Sequence, residues 1–179
     1  MIQMSTTPIK RNNQNNRLNF TPKKPKNGDD ERNLFPVYEN ELKQSQFEGR
    51  GCYVVQGFYM INDQKIPFVK CGFTDSLFSF KCPIQKKIIR GRIYTIIQDL
   101  RKMNDVSYAK IDSILAFYKE TAQSPIPIKC FETELLKRTR KFKIDVGSKK
   151  EYRNYSNKGE ILSIASDLQK ECSEYVYSF

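Results

Sequence analysis

A chain of 179 residues with 39% hydrophobic content can fill one modest core and not two. Lysine and arginine number 31 against 20 acids, and the resulting formal charge of +11 points to polyanionic partners. The absence of histidine excludes Ser-His-Asp hydrolases, His-paired cysteine nucleophiles, zinc deaminases and histidine-bearing zinc fingers, so any chemistry must rest on Tyr, Lys, Arg and carboxylates.

Residues 1–33 carry Lys10, Arg11, Arg17, Lys23, Lys24, Lys26 and Arg32 against Asp29, Asp30 and Glu31, with Phe20 as the lone aromatic. This stretch cannot bury enough apolar surface to fold and is predicted to be a disordered basic arm. Within it, Lys23, Lys24 and Lys26 of the run Pro22-Lys23-Lys24-Pro25-Lys26 suit a nuclear-import signal or a phosphate-contacting tail, and equally a device for solubility. No apolar run reaches the ~20 residues of a membrane span and the start lacks a secretory h-region, so the expected setting is intracellular, nuclear or cytoplasmic, with no membrane partner.

The domain is predicted over 34–179. Tyr53–Met60 and Ile66–Phe73 are β-branched and aromatic around the turn-forming Asn62-Asp63-Gln64-Lys65, which predicts a β-hairpin. Pro67 lacks an amide proton and belongs at the start of the second strand or on an edge. Ile88, Ile89, Ile93, Ile96, Ile97 and Leu100 recur at helical spacing and predict an amphipathic helix over Ile84–Met103, weakened at Gly91. A third strand is expected at Ile111–Tyr118, a Pro-broken loop at Ser124–Lys129, a Lys- and Arg-rich helix at Phe131–Phe142 and a last helix at Gly159–Glu174. The order is β-β-α-β-α-α, an α+β fold. Cys52, Cys71, Cys82, Cys130 and Cys172 are odd in number and lack Cys-x-x-Cys spacing, so they are expected as reduced, mostly buried thiols rather than zinc ligands.

Gly51-Cys52-Tyr53 opens the first strand of the hairpin, and Lys70-Cys71-Gly72 followed by Phe73-Thr74 closes the second. Further on stand Phe131-Glu132-Thr133-Glu134-Leu135-Leu136 and Lys150-Glu151-Tyr152-Arg153. In that order these segments resemble the GIY-YIG nuclease superfamily, specifically its viral and fungal branch, with its Lys-Ile-Gly triplet followed by Thr, its apolar-Glu-x-x-Leu helix opening and its Arg-Glu-Trp-Phe segment. The resemblance covers roughly 51–168 and implies a three-stranded antiparallel sheet flanked by helices. It departs at the insertion Ser76–Pro83, at Cys52 and Cys71 in place of isoleucines, and at Tyr152-Arg153 in place of an aromatic pair.

The resemblance implies a metal-dependent DNA endonuclease of low sequence selectivity. Tyr53 and Lys70 would stand side by side near the attacking water, Arg90 or Arg92 would contact the phosphate, and Glu132 would be the single carboxylate ligand of Mg2+ or Mn2+. Each residue also has a plainer role. Tyr53 suits a half-buried strand, Lys70 a solvated strand edge, and Glu132 or Glu134 the first turn of a helix. Glu132 is preferred because it leaves Phe131 and Leu135 on the buried side. Nucleic acid, most of all DNA, is the expected partner, gripped by Lys137, Arg138, Arg140, Lys141 and Lys143 with the arm. The rival expectations are a catalytically inactive nucleic-acid-binding or virion structural protein on the same fold, and an RNA-binding component of a larger particle. Tyr94, Tyr108, Tyr152 and Tyr155 are candidates for stacking on bases.

Overall fold

The computed structural model describes residues 45–174 apart from 83, 148 and 150; the predicted basic arm, with Lys23, Lys24 and Lys26, lies outside the described residues. β1 (Gly51–Ile61) and β2 (Gln64–Thr74) form the expected hairpin. Its two-residue turn, Asn62-Asp63, has both φ angles positive, at 48° and 62°, the backbone of a type I′ turn whose twist matches the strands it joins. Register follows from that turn, and it sets Tyr53 opposite Gly72 and Val55 opposite Lys70.

After β2 the chain departs from expectation. The helix predicted from Ile84 starts only at Arg92; before it, β3 (Phe80–Lys81) and β4 (Ile88–Ile89) pair as a small antiparallel ribbon. The isoleucine spacing that suggested a helix continues into the ribbon by coincidence, since Ile84 and Ile88 are 92% and 69% exposed. Gly91 marks the boundary. Its backbone is extended, and a Cβ there would come within 2.6 Å of the Phe78 Cα, so the chain passes too close to Phe78 for a side chain. Helix α1 (Arg92–Arg101) then buries Ile93, Ile96, Ile97 and Leu100 on one face.

β5 (Val106–Lys119) is longer than predicted and pairs with β1 along its full length through several register shifts. Helix α2 (Ile128–Arg138) begins three residues earlier than expected because the Glu120 carboxylate accepts the Ile128 amide at 3.0 Å. It also ends earlier, and Arg140–Phe142 is a separate 3-10 turn. β6 (Tyr152–Asn154) is a short strand that the sequence did not suggest, and α3 (Lys158–Glu174) closes the described fold.

The α+β class holds, with a main sheet of four antiparallel strands, ordered β5-β1-β2-β6, rather than three. Period-two alternation gives that sheet two cores. On one face Tyr53, Val55 and Phe68 pack with the apolar face of α1; on the other Cys52, Val54, Val69 and Cys71 pack with Phe131 and Leu135 of α2 and Ile161, Ala165 and Leu168 of α3. Each fully buried Ile or Leu among them contributes about 1.5–3 kcal/mol. Pro67 sits within β2 with its nitrogen on the outer side, just short of the residues that β6 pairs, so no ladder bond is lost. All five cysteines are free, with Cys52, Cys71 and Cys172 buried and Cys130 exposed. Among the described residues no helix is long and apolar enough to cross a membrane.

Candidate functional site at the open edge of strand β2

β6 covers only part of the outer edge of β2, pairing Phe68, Val69 and Lys70. The Cys71 amide still finds the Glu151 carbonyl at 3.2 Å, after which the edge is open. The Phe73 amide points outward there and hydrogen-bonds Glu132 of α2. Side chains from the two faces of the sheet can therefore meet around this edge without crossing the hairpin.

Tyr53 and Lys70 approach from the α1 face. Tyr53 is fully buried, and its ring lies over Gly72, where a Cβ would come within 2.7 Å of the phenol Cζ. That contact explains why the second triplet ends in glycine. The phenol oxygen accepts a hydrogen bond from Arg92 Nε at 3.0 Å. Lys70 Nζ, 2% exposed as a residue, donates to Glu151 Oε2 and stands 4.3 Å from the Tyr152 ring centroid. Arg92 reaches the same carboxylate, Nη2 to Oε2 at 3.5 Å, and keeps about a third of its side chain exposed at 32%.

Local structure explains how Arg92 is held. Thr74 Oγ1 donates to the Ser76 carbonyl at 2.7 Å and accepts from the Ser76 amide at 3.2 Å, which fixes the turn after β2. That turn presents the Ser76 and Leu77 carbonyls to the Arg92 and Ile93 amides, so the first turn of α1 is fastened to the end of β2. Glu132 comes from α2, with Phe131 and Leu135 beside it in the core. Burial and then repulsion from Glu151 raise its pKa above the usual carboxylate value, partly offset by the Phe73 amide, Arg92 and Lys70. Burial raises the Tyr53 pKa above that of an ordinary phenol despite Arg92, and burial lowers that of Lys70 despite Glu151. The Cys71 thiol, pushed up to about 12 chiefly by burial, is no nucleophile at neutral pH.

Five groups from five segments thus share one edge: Tyr53, Lys70, Arg92, Glu132 and Glu151. Comparison with protein-family models, curated proteins and solved structures finds no match.

Of the two arginines, Arg92 joins the group and Arg90 does not; Arg90 donates to the Tyr94 hydroxyl and stacks 4.2 Å from its ring centroid. Glu134 faces away, paired with Lys137 at 3.4 Å and Arg138 at 3.0 Å. Glu151 was overlooked in the sequence although it stands inside the Lys150-Glu151-Tyr152-Arg153 segment; its contact with Lys70 spans 81 residues, which no local pattern reveals.

Within the predicted phosphate grip, several cations are paired with acids. Arg138 forks onto Glu171 at 2.7 and 2.8 Å and ties α2 to α3, Lys143 pairs with Asp145 at 2.8 Å, and Lys141 lies 3.8 Å from Glu160. Arg140 lies past the helix end. Tyr152 is buried and cannot stack on a base, whereas Tyr108 and Tyr155 are exposed. Among the described residues no three His, Cys, Asp or Glu side chains gather as a metal site.

Proposed function

We propose that the chain is a GIY-YIG-like, metal-dependent endonuclease that hydrolyses DNA phosphodiesters with low sequence selectivity. The observation that carries this reading is the linkage of Tyr53, Arg92, Glu151 and Lys70 at one strand edge, where Glu132 accepts the neighbouring Phe73 amide. Arg92 is the outer cation, and its guanidinium plane, fixed by Tyr53 and Glu151, suits two phosphate oxygens. Tyr53 stays protonated in its buried setting; accepting from Arg92, it has its own proton to donate to substrate or water. Burial lowers the Lys70 pKa, so once its ammonium has given up a proton to solvent, the neutral amine would take the proton of the attacking water. Glu132 fits a divalent ion, because its repulsion with Glu151 is relieved by a cation and Mg2+ needs few protein ligands. When bound, the ion supplies charge at the leaving oxygen.

The burial of Tyr53 and the ion pair that already occupies Lys70 favour a second reading, a non-catalytic nucleic-acid-binding or virion structural protein on the same scaffold. Plasmid nicking in Mg2+ or Mn2+ separates the two. The nuclease reading expects nicking by the wild type and, for Glu132→Ala, unchanged DNA binding with a rate lower by about a hundredfold or more. A wild type that binds DNA and cuts it with neither metal leaves the second reading.

A further inference from the structure

The β3–β4 ribbon has no part in the site, yet it is the most unusual surface of the fold. Phe80 and Ile88 are 48% and 69% exposed, and Ile84, in the loop between the strands, is 92% exposed. Phe80 pairs with Ile89 and Lys81 with Ile88, so Phe80 and Ile88 point to opposite faces. The ribbon is therefore apolar on both faces and at its tip. Such a projection has no core to serve, and exposed apolar clusters of this kind mark contacts with a partner.

Its charge names the partner. From residue 76 to residue 98 the sequence has no Asp or Glu, while Lys81, Lys86, Lys87, Arg90 and Arg92 fall within the same stretch. Lys86 and Lys87 are exposed and form no ion pair among the described residues. The ribbon is also hydrogen-bonded to the chain just before the site. Ser79 Oγ accepts the Gly91 amide at 2.8 Å, and the Cys82 amide donates to the Lys87 carbonyl at 2.9 Å to close the hairpin. One residue after Gly91 comes Arg92.

We propose that this ribbon is a wedge that enters a groove of a DNA duplex, Ile84 and Ile88 pressing on base edges or between base steps while Lys86 and Lys87 hold the flanking phosphates. It deepens the function proposed above, on which it rests, by assigning the substrate a duplex deformed beside Arg92. An apolar tip between cations is the design by which minor-groove proteins unstack and bend DNA. An anionic lipid surface would take the same chemistry, but the ribbon's base, hydrogen-bonded one residue before the partly exposed Arg92, favours the duplex.

The test is the affinity of the full chain for a fluorescent DNA duplex, by anisotropy across a salt series in EDTA, where cutting plays no part. Lys86→Gln/Lys87→Gln is expected to weaken binding and lower the slope of log affinity against log salt by roughly 2, about 0.9 for each phosphate released. Ile84→Ser/Ile88→Ser is expected to weaken binding about fivefold or more with the slope unchanged, because apolar contacts release no counterions. Both pairs are exposed, so circular dichroism should match the wild type. Wild-type affinity in the apolar variant overturns the wedge. So does loss of binding to vesicles of equal phosphatidylserine and phosphatidylcholine with DNA affinity intact, which assigns the ribbon to a lipid surface. If the variants lose DNA affinity while the wild type never nicks plasmid, the wedge stands and the catalytic reading falls.

Discussion

The Glu132 carboxylate is half-buried and feels the negative charge of Glu151, and both effects lift its pKa. A native state that holds a proton more tightly than the unfolded chain loses stability as pH rises from the unfolded pKa through the folded one, and above both the full cost remains. Glu132→Gln removes that cost. It should melt at a higher temperature than the wild type at pH 7, and the two should converge at about pH 3, where both side chains are neutral. Scanning calorimetry at the two pH values checks this, and equal melting temperatures at pH 7 would contradict it. The place of Gly72 after Lys70 was visible in the sequence as a motif, but its reason, the Tyr53 ring lying across it, exists only once β1 and β2 are paired.

Among elements, β6 and α2 are joined by Arg153, a buried cation. Its Nε donates to Thr139 Oγ1 at 2.9 Å, Nη1 to the Tyr152 carbonyl at 2.9 Å and Nη2 to the Leu136 carbonyl at 3.1 Å. The last contact satisfies a carbonyl that the end of α2 would otherwise leave unpaired. Thr139→Val takes one acceptor from a buried guanidinium at nearly constant volume, and should lower stability by about 1–3 kcal/mol in urea unfolding; an unchanged midpoint would show the bond to be dispensable. Elements with local causes were legible beforehand. The β1–β2 hairpin follows from its turn residues and alternation, and α3 from a clean helical stripe ending at Glu174. β6 was not, because three residues held by Arg153 and by pairing with Phe68–Lys70 carry no pattern of their own. The start of α1 was misplaced because Ile84 and Ile88 extend the apolar period of a helix that Gly91 stops.

At the scale of the whole molecule, one four-stranded sheet separates two cores, and the candidate site forms where the sheet's edge is left open between them. That arrangement lets Glu132 from the α2 face join Tyr53, Lys70 and Arg92 from the α1 face. The sequence offered the residue types and, through Phe131 and Leu135, the orientation of Glu132. It could not choose between Arg90 and Arg92, which differ by the loop that clamps α1 to Ser76 and Leu77, nor reveal Glu151. Nor could it show that Arg138, already beside Glu134 one turn earlier, also forks onto Glu171 of α3, while the stretch holding Lys86 and Lys87, which form no ion pair among the described residues, was read as helix. The most direct test is anomalous scattering from crystals grown with Mn2+ and a short DNA duplex. The account predicts a Mn2+ peak about 2.2 Å from a Glu132 carboxylate oxygen, with a backbone phosphate hydrogen-bonded to the Arg92 guanidinium. A peak at some other cluster, or DNA bound with its phosphates away from Arg92, would contradict it.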